Sequence, residues 1–78
     1  MKAKSISRKE YKALIKALVK AREEAGINQK ELAKALGWSQ PEISKYEHFV
    51  RRIDVVEFVD ICEALKISYK ELIDKVCK

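Results

Sequence analysis

Glycine, proline and cysteine are scarce in this 78-residue chain, which contains two glycines, one proline and two cysteines. With only one proline and an ordinary apolar content, the chain is not expected to be mainly disordered. Cys62 and Cys77 lie far apart and form no CxxC pair, so the sequence indicates no cysteine metal site and gives little support to a disulfide. We expect reduced thiols, with Cys62 packed as a small hydrophobic residue.

Long apolar runs and histidine are also lacking. No stretch approaches the roughly 18 apolar residues that a membrane span needs, and no apolar signal core follows the basic N-terminus. His48 is the single histidine, and the sequence contains no glycine-rich phosphate loop and no Ser-His-Asp set. We therefore expect a cytoplasmic protein that is not an enzyme, with no metal, cofactor, membrane or small-molecule substrate.

The charge is strongly basic. Lysine and arginine outnumber aspartate and glutamate by 17 to 12, for a net charge of +5 and a pI of about 9.3. A basic balance in a small domain favours nucleic acid or an acidic surface as a partner. The length fits one domain over 1–78, with its core at about 8–76.

One helix-start signal recurs along the chain. A polar capping residue is followed three positions later by glutamate, the spacing of a capping box, at Ser7/Glu10, Asn28/Glu31, Ser39/Glu42, Asp54/Glu57 and Ser68/Glu71. No segment alternates with the period of a strand. The sequence therefore predicts a compact all-α domain of five helices: one ending near Ala25-Gly26, then Gln29–Leu36, Gln40–His48, Val55–Leu65 and Tyr69–Val76.

Apolar residues at helical spacing predict the core-facing side of these helices. In the first helix they are Tyr11, Leu14, Ile15, Leu18 and Val19; in the fourth Val56, Val59, Ile61, Cys62 and Leu65, with Phe58 as a further candidate; and in the fifth Leu72, Ile73 and Val76.

The second and third helix starts are separated by a single glycine, Gly37, which can supply the left-handed residue that ends a helix. Two helices joined by so tight a turn are typical of a DNA-reading helix-turn-helix. Ile43 and Tyr46 are spaced to face inward from the third helix. Its outward face would then consist of Gln40, Pro41, Ser44 and Lys45.

This outward face suits base readout in a major groove. Glutamine can pair with adenine, lysine with guanine and serine with either, whereas Pro41 offers only apolar contact, such as with a thymine methyl. The alternative is a solvated face on an ordinary surface helix, and for any one residue alone that alternative is the better one. The tight turn, the charge and the resemblance described next together favour DNA.

The stretch from about Leu14 to Ile73 resembles the phage-repressor and Cro-like (Xre-type) helix-turn-helix family. The matching positions are Arg22, Asn28-Gln29, Glu31-Leu32-Ala33, Gly37, Ser39-Gln40, Ile43-Ser44, Glu47 and Arg52-Ile53-Asp54. The resemblance implies a five-helix domain of the lambda-repressor-like type that binds operator double-stranded DNA as a homodimer. We expect a sequence-specific transcriptional regulator, most simply a repressor.

Phosphate contacts are expected to supply most of the affinity. Gln29 begins the second helix, where free N–H groups and the helix dipole favour an anion, and the resemblance implies a phosphate contact at the same position. The other candidates are Trp38, Ser39, Arg51 and Arg52. For Trp38, a core or lid position and a phosphate-donating indole are interpretations of similar weight.

The resemblance also implies a partly buried ion pair between Arg22 and Glu47, which would tie the first helix to the end of the third. It places glycine where this chain has Phe49, so a left-handed Phe49 would be strained. Either the local turn differs from that of the family, or packing of the aromatic ring compensates for the strain. Core packing of Phe49 is favoured slightly over a dimer contact, and both stay open. The candidate dimer surface is Phe49, Val50, Tyr69, Leu72, Ile73 and Val76.

Two alternatives concern function. The domain could be a protein-interaction module that keeps the fold without operator recognition, acting through Phe49 and Val50, or a non-specific DNA binder. A sequence-specific reader should show both a steep salt dependence and a sequence preference. The sequence does not choose among a mobile element, a restriction system and a toxin–antitoxin pair as its setting.

Overall fold

The computed structural model describes residues 8–76, and within them the secondary structure is entirely α-helical. The helices are α1 (Lys9–Glu24), α2 (Gln29–Leu36), α3 (Gln40–Glu47), α4 (Val55–Leu65) and α5 (Tyr69–Val76). The all-α, five-helix prediction is confirmed. One boundary differs: α3 ends before His48, because that residue has left the helical conformation, with φ −102° and ψ 16°.

Capping boxes begin the three central helices. In each, the capping side chain accepts from the backbone N–H three residues on, and the glutamate at that position accepts from the cap's own N–H, at Asn28/Glu31, Ser39/Glu42 and Asp54/Glu57. At the start of α5, the Ser68 hydroxyl accepts from the Glu71 N–H at 3.3 Å. The predicted cap Ser7 lies outside the described residues, and Arg8 precedes α1 without a side-chain capping bond.

The core lies between the inward faces of all five helices. Its buried members are Ile15, Leu18, Leu32, Ala33, Ile43, Tyr46, Phe58, Ile61, Cys62, Leu65 and Leu72. In space, α2 packs against α3 and α4, and α5 packs against α1 and α4. None of the helices in the described range combines the length and apolarity needed to cross a membrane.

Two predictions about these faces are wrong. Val56 is 68% exposed, whereas Phe58 is only 7% exposed and is a core residue. Phe58, Ile61 and Leu65 follow the helical repeat of one face, and Val56 falls outside it. On α5, Leu72 is 9% exposed and buried in the core, so it is not part of an exposed dimer surface.

Left-handed residues end α2 and α4. Gly37 is left-handed with φ 74°, as predicted, and ends α2, while the Trp38 N–H donates to the Ala33 carbonyl at 2.9 Å. Lys66 is also left-handed, with φ 60°, at the end of α4. The sequence did not indicate this second turn, because glycine or asparagine is the usual signal for such a helix end.

Candidate nucleic-acid interface

The third helix has one buried and one exposed side. Ile43 and Tyr46 have no exposed surface, and Gln40, Pro41 and Lys45 are exposed while Ser44 is half-buried. The predicted division into an inward and an outward face is therefore confirmed. Base readout by the outward face stays a prediction.

An ion pair fixes the end of α3 to α1. Arg22 donates to Glu47 through two bonds, Nε to Oε2 at 2.7 Å and Nη2 to Oε1 at 3.1 Å, and its Nη1 donates to the Ile27 carbonyl at 2.8 Å. Both side chains are buried. The hydrogen bond to Glu47 raises the pKa of Arg22. The pair that the resemblance implied is present, with bidentate geometry that suits a planar guanidinium.

Glu47 also fixes Gln29. The Gln29 Nε2 donates to Glu47 Oε1 at 2.8 Å, and Gln29 Oε1 accepts from Gln40 Nε2 at 3.3 Å. Hydrogen bonds thus run from Arg22 on α1, through Glu47 and Gln29, to Gln40 at the start of α3. The sequence placed Gln29 beside a phosphate but did not indicate these bonds, since helical spacing cannot show which side chains meet across two helices.

Ser39 caps α3. Its Oγ accepts from the Glu42 N–H at 3.3 Å, while its own N–H donates to Glu42 Oε1 at 2.9 Å. At the other end of α3, the exposed His48 places Nδ1 2.8 Å from the Ser44 carbonyl, which requires the proton on Nδ1.

Trp38, in the turn before α3, contacts Arg51, in the loop after α3. The Trp38 ring is half-buried against the core and meets Tyr46 edge-on, with centroids 6.2 Å apart. The Arg51 guanidinium carbon lies 4.6 Å from the Trp38 ring centroid, and Arg51 pairs with Glu57 on α4. Of the two interpretations of Trp38, the core position is observed. A phosphate contact by Trp38, Arg51 or the exposed Arg52 stays a prediction.

Phe49 is left-handed, with φ 64°, so the local turn keeps the conformation that favours glycine. Its half-buried ring packs against the core, and Lys12 Nζ lies 5.7 Å from the ring centroid. Core packing is thus the interpretation that the contacts support. The exposed members of the candidate dimer surface are Val50, Tyr69 and Ile73, and Val76 is half-buried.

Two further observations concern metal ligands and the cysteines. No group of three His, Cys, Asp or Glu side chains there could hold a metal ion. Cys62 is buried as a free thiol, as predicted, and burial raises its pKa to about 11. Cys77 lies outside the described residues.

Comparison with known proteins agrees with this geometry. Residues 18–72 match a family model described as helix-turn-helix. The fold is similar to that of an XRE-family like protein from Pseudomonas syringae pv. tomato str. DC3000, at 45% identity and a TM-score of 0.83, covering 86% of this chain and 82% of that one.

A second similar structure is the clp gene regulator ClgR from C. glutamicum, at 26% identity and a TM-score of 0.76, with 85% of each chain covered. A comparison with curated protein sequences gives no match. The matched family segment contains both helices of the turn and the whole Arg22–Glu47–Gln29–Gln40 connection. The chain belongs to the XRE-type helix-turn-helix family, whose members are DNA-binding transcriptional regulators.

Proposed function

We propose that this protein is a sequence-specific regulator that reads double-stranded DNA by laying the exposed face of α3 into the major groove. The observation that carries the proposal is that this exposed face is held in place from behind by buried side chains and by hydrogen bonds. Ile43 and Tyr46 are fully buried behind it, and the hydrogen bond from Gln40 to Gln29 connects it to the buried ion pair.

The hydrogen bonds determine which atoms of Gln40 can meet a base. The Glu47 carboxylate only accepts, so Gln29 presents Nε2 to Glu47 and Oε1 to Gln40. Gln40 must therefore donate one N–H to Gln29. Its Oε1 and second N–H then match the N6 donor and N7 acceptor of adenine, a bidentate pair worth about 1–3 kcal/mol of discrimination.

The remaining outward residues would read neighbouring bases. Lys45 is exposed one turn further along α3 and can reach the O6 and N7 acceptors of guanine. Ser44 can serve as donor or acceptor, and Pro41 can pack against a thymine methyl. The preference for adenine opposite Gln40 is the sharpest part of this assignment, because Gln40 is the one amide among these four outward residues and a hydrogen bond orients it.

Phosphate contacts would flank this readout. Gln29 begins α2, so the first-turn amides and the helix dipole there favour an anion. Trp38, Ser39 and Arg52 lie beside the two helix starts or in the loop after α3. The net charge of +5 strengthens attraction to DNA at long range.

A homodimeric repressor of the cytoplasm is the form of regulator that we propose. Two copies would read half-sites about one helical turn apart. Val50 in the loop after α3, and Tyr69 and Ile73 on α5, are the exposed apolar residues available for the contact between copies. ClgR, described as a clp gene regulator, supports a role in gene regulation.

One observation favours the alternative of a protein-interaction module. Val50, Val55 and Val56, in the loop after α3 and the first turn of α4, are each more than two-thirds exposed. Exposed apolar residues close in sequence suit a protein partner. Such a module would not distinguish one duplex from another.

Selection of bound duplexes from a random pool tests the proposal. We expect a preferred sequence with two related half-sites, and binding to it that weakens steeply with salt, in proportion to the phosphates neutralised. Lys45→Ala should relax the preference at one position, while Lys70→Ala on α5 is the matched control for loss of a lysine. A pool that emerges without any preference would refute the proposed function.

A further inference from the structure

The Arg51 guanidinium contacts two other side chains at once, and its Nη1 also donates to the Arg52 carbonyl at 3.3 Å. Its Nη2 donates to Glu57 Oε2 at 3.0 Å and its Nη1 to Glu57 Oε1 at 3.3 Å. Its guanidinium carbon lies 4.6 Å from the centroid of the Trp38 ring. The hydrogen bond between the two side chains lowers the pKa of Glu57 and raises that of Arg51, so the pair is fully charged at neutral pH.

These partners belong to different segments of the proposed DNA-facing side. Trp38 lies in the turn between α2 and α3, and Glu57 closes the capping box of α4, where its Oε1 also accepts from the Asp54 N–H at 3.0 Å. The backbone of Arg51 is fixed as well, because its N–H donates to the Lys45 carbonyl at 3.1 Å. Arg51 thus joins the turn before α3, the loop after it and the start of α4.

We propose that Arg51 is a positioning residue for DNA binding, which acts through Trp38 and Glu57, and is not one of the side chains that neutralise a phosphate. The inference rests on the proposed function. A guanidinium that is bidentate to a carboxylate and stacked on an aromatic face has both of its preferred partners. Turning toward DNA would break both contacts and leave the Glu57 carboxylate unpaired beside a polyanion.

Glu57→Gln distinguishes a positioning role of Arg51 from a phosphate contact, because the two roles predict opposite changes in affinity for DNA. Glutamine can still close a capping box at this position, so the start of α4 is kept. If Arg51 neutralised a phosphate, the substitution would release it and remove a repulsive charge, and binding would tighten. If Arg51 is a positioning residue, we expect affinity to fall by about three- to tenfold, since a charge-assisted bidentate pair is replaced by a weaker bond.

Arg51→Lys gives a second, independent comparison. Lysine keeps the positive charge and is an effective phosphate ligand, but it has no planar fork and stacks less well. A phosphate contact would be largely rescued by lysine. The positioning role predicts that Arg51→Lys and Arg51→Ala lose similar affinity, and that the salt dependence of all these variants has the wild-type slope, because no phosphate contact has been removed.

The control for the charge change is Glu71→Gln. Glu71 holds the same third position in α5, where its N–H donates to the Ser68 hydroxyl. Both substitutions remove one negative charge at the start of a helix, so the net charge changes alike. We expect Glu71→Gln to bind within about twofold of wild type or slightly tighter, since a general charge effect at a distance is screened by salt.

Trp38 supplies a readout that does not depend on DNA. It is the single tryptophan, so the emission of the free protein reports on the side chain that Arg51 covers. We expect both Glu57→Gln and Arg51→Lys to change this emission while the helical circular dichroism is retained, and Glu71→Gln to leave the emission unchanged.

The affinities and emission are measured together, on duplexes selected by the wild-type protein. Weaker binding by Glu57→Gln with an unchanged salt slope supports the positioning role. Tighter binding by Glu57→Gln, or wild-type affinity in Arg51→Lys, overturns it while the proposed function stands. A wild-type protein that prefers no duplex refutes the proposed function and this inference together.

Discussion

Arg22 and Glu47 form a buried bidentate ion pair, with donor–acceptor distances of 2.7 and 3.1 Å, that fixes α3 against α1. Desolvation offsets much of the attraction in such a pair. Its main effect is therefore orientation: Glu47 directs the Gln29 amide, and Gln29 directs the amide of Gln40.

Removing one partner of the ion pair should lower the free energy of unfolding more than removing both partners. Arg22→Met leaves Glu47 buried without its cation, and we expect a loss of about 3–5 kcal/mol in the free energy of unfolding. The double variant Arg22→Met/Glu47→Leu should be more stable than Arg22→Met alone. Urea unfolding of the single and double variants measures this, and strictly additive losses would contradict the account.

Replacement of Phe49 by glycine should destabilise the protein less than replacement by alanine. Phe49 is left-handed, and both substitutions remove the same packed ring, but alanine keeps the Cβ that makes this conformation costly. We expect Phe49→Gly to be more stable than Phe49→Ala by about 1 kcal/mol. Thermal or urea unfolding provides the comparison, and equal stability would show that the loop adopts another conformation.

Lys66 allows the same test of left-handed strain without the loss of a packed aromatic ring. It is exposed and left-handed at the end of α4. Lys66→Gly should raise the free energy of unfolding by up to about 1 kcal/mol, because glycine relieves the left-handed strain. Lys34→Gly within α2 is the matched control and should be destabilising by about 1 kcal/mol; a loss in both variants would be evidence against strain at Lys66.

The Arg51–Glu57 pair should make stability depend on acid pH. Because the folded state lowers the pKa of Glu57, its contribution is present above the ordinary glutamate pKa of about 4.3 and is lost as pH falls through the lower, folded value. The stability difference between wild type and Glu57→Gln should therefore shrink as the pH falls below the ordinary glutamate pKa. Urea midpoints measured as the pH is lowered test this, and a constant difference would contradict it.

Helix positions were predictable from the sequence because their start signals are local. Capping residue and glutamate lie three residues apart at Asn28, Ser39 and Asp54, and each of these boxes forms. The exposed face of α3 was predictable for a similar reason, since Ile43 and Tyr46 have the spacing of one helical face.

Contacts between distant segments were not predictable in the same way. Arg51 and Glu57 lie six residues apart, with a loop and a helix start between them, and no rule of helical spacing predicts a contact at that separation. Trp38 is distant from Arg51 in sequence, and only the folded structure shows that the two side chains meet. The prediction for α4 was wrong at Val56 because an apolar side chain is not always buried: Val56 is exposed, and Phe58 packs in the core. Leu72 was assigned to the candidate dimer surface, but packing of α5 against the other helices buries it.

Readout by Gln40 is tested most directly by comparing wild type and Gln40→Ala on the selected duplex and on a set of its single-base variants. We expect Gln40→Ala to lose discrimination at one position, an adenine, by about 1–3 kcal/mol, and to keep the wild-type preference elsewhere. If Gln40→Ala instead keeps every preference of the wild type, or loses affinity equally on all duplexes, α3 does not read bases in the manner proposed.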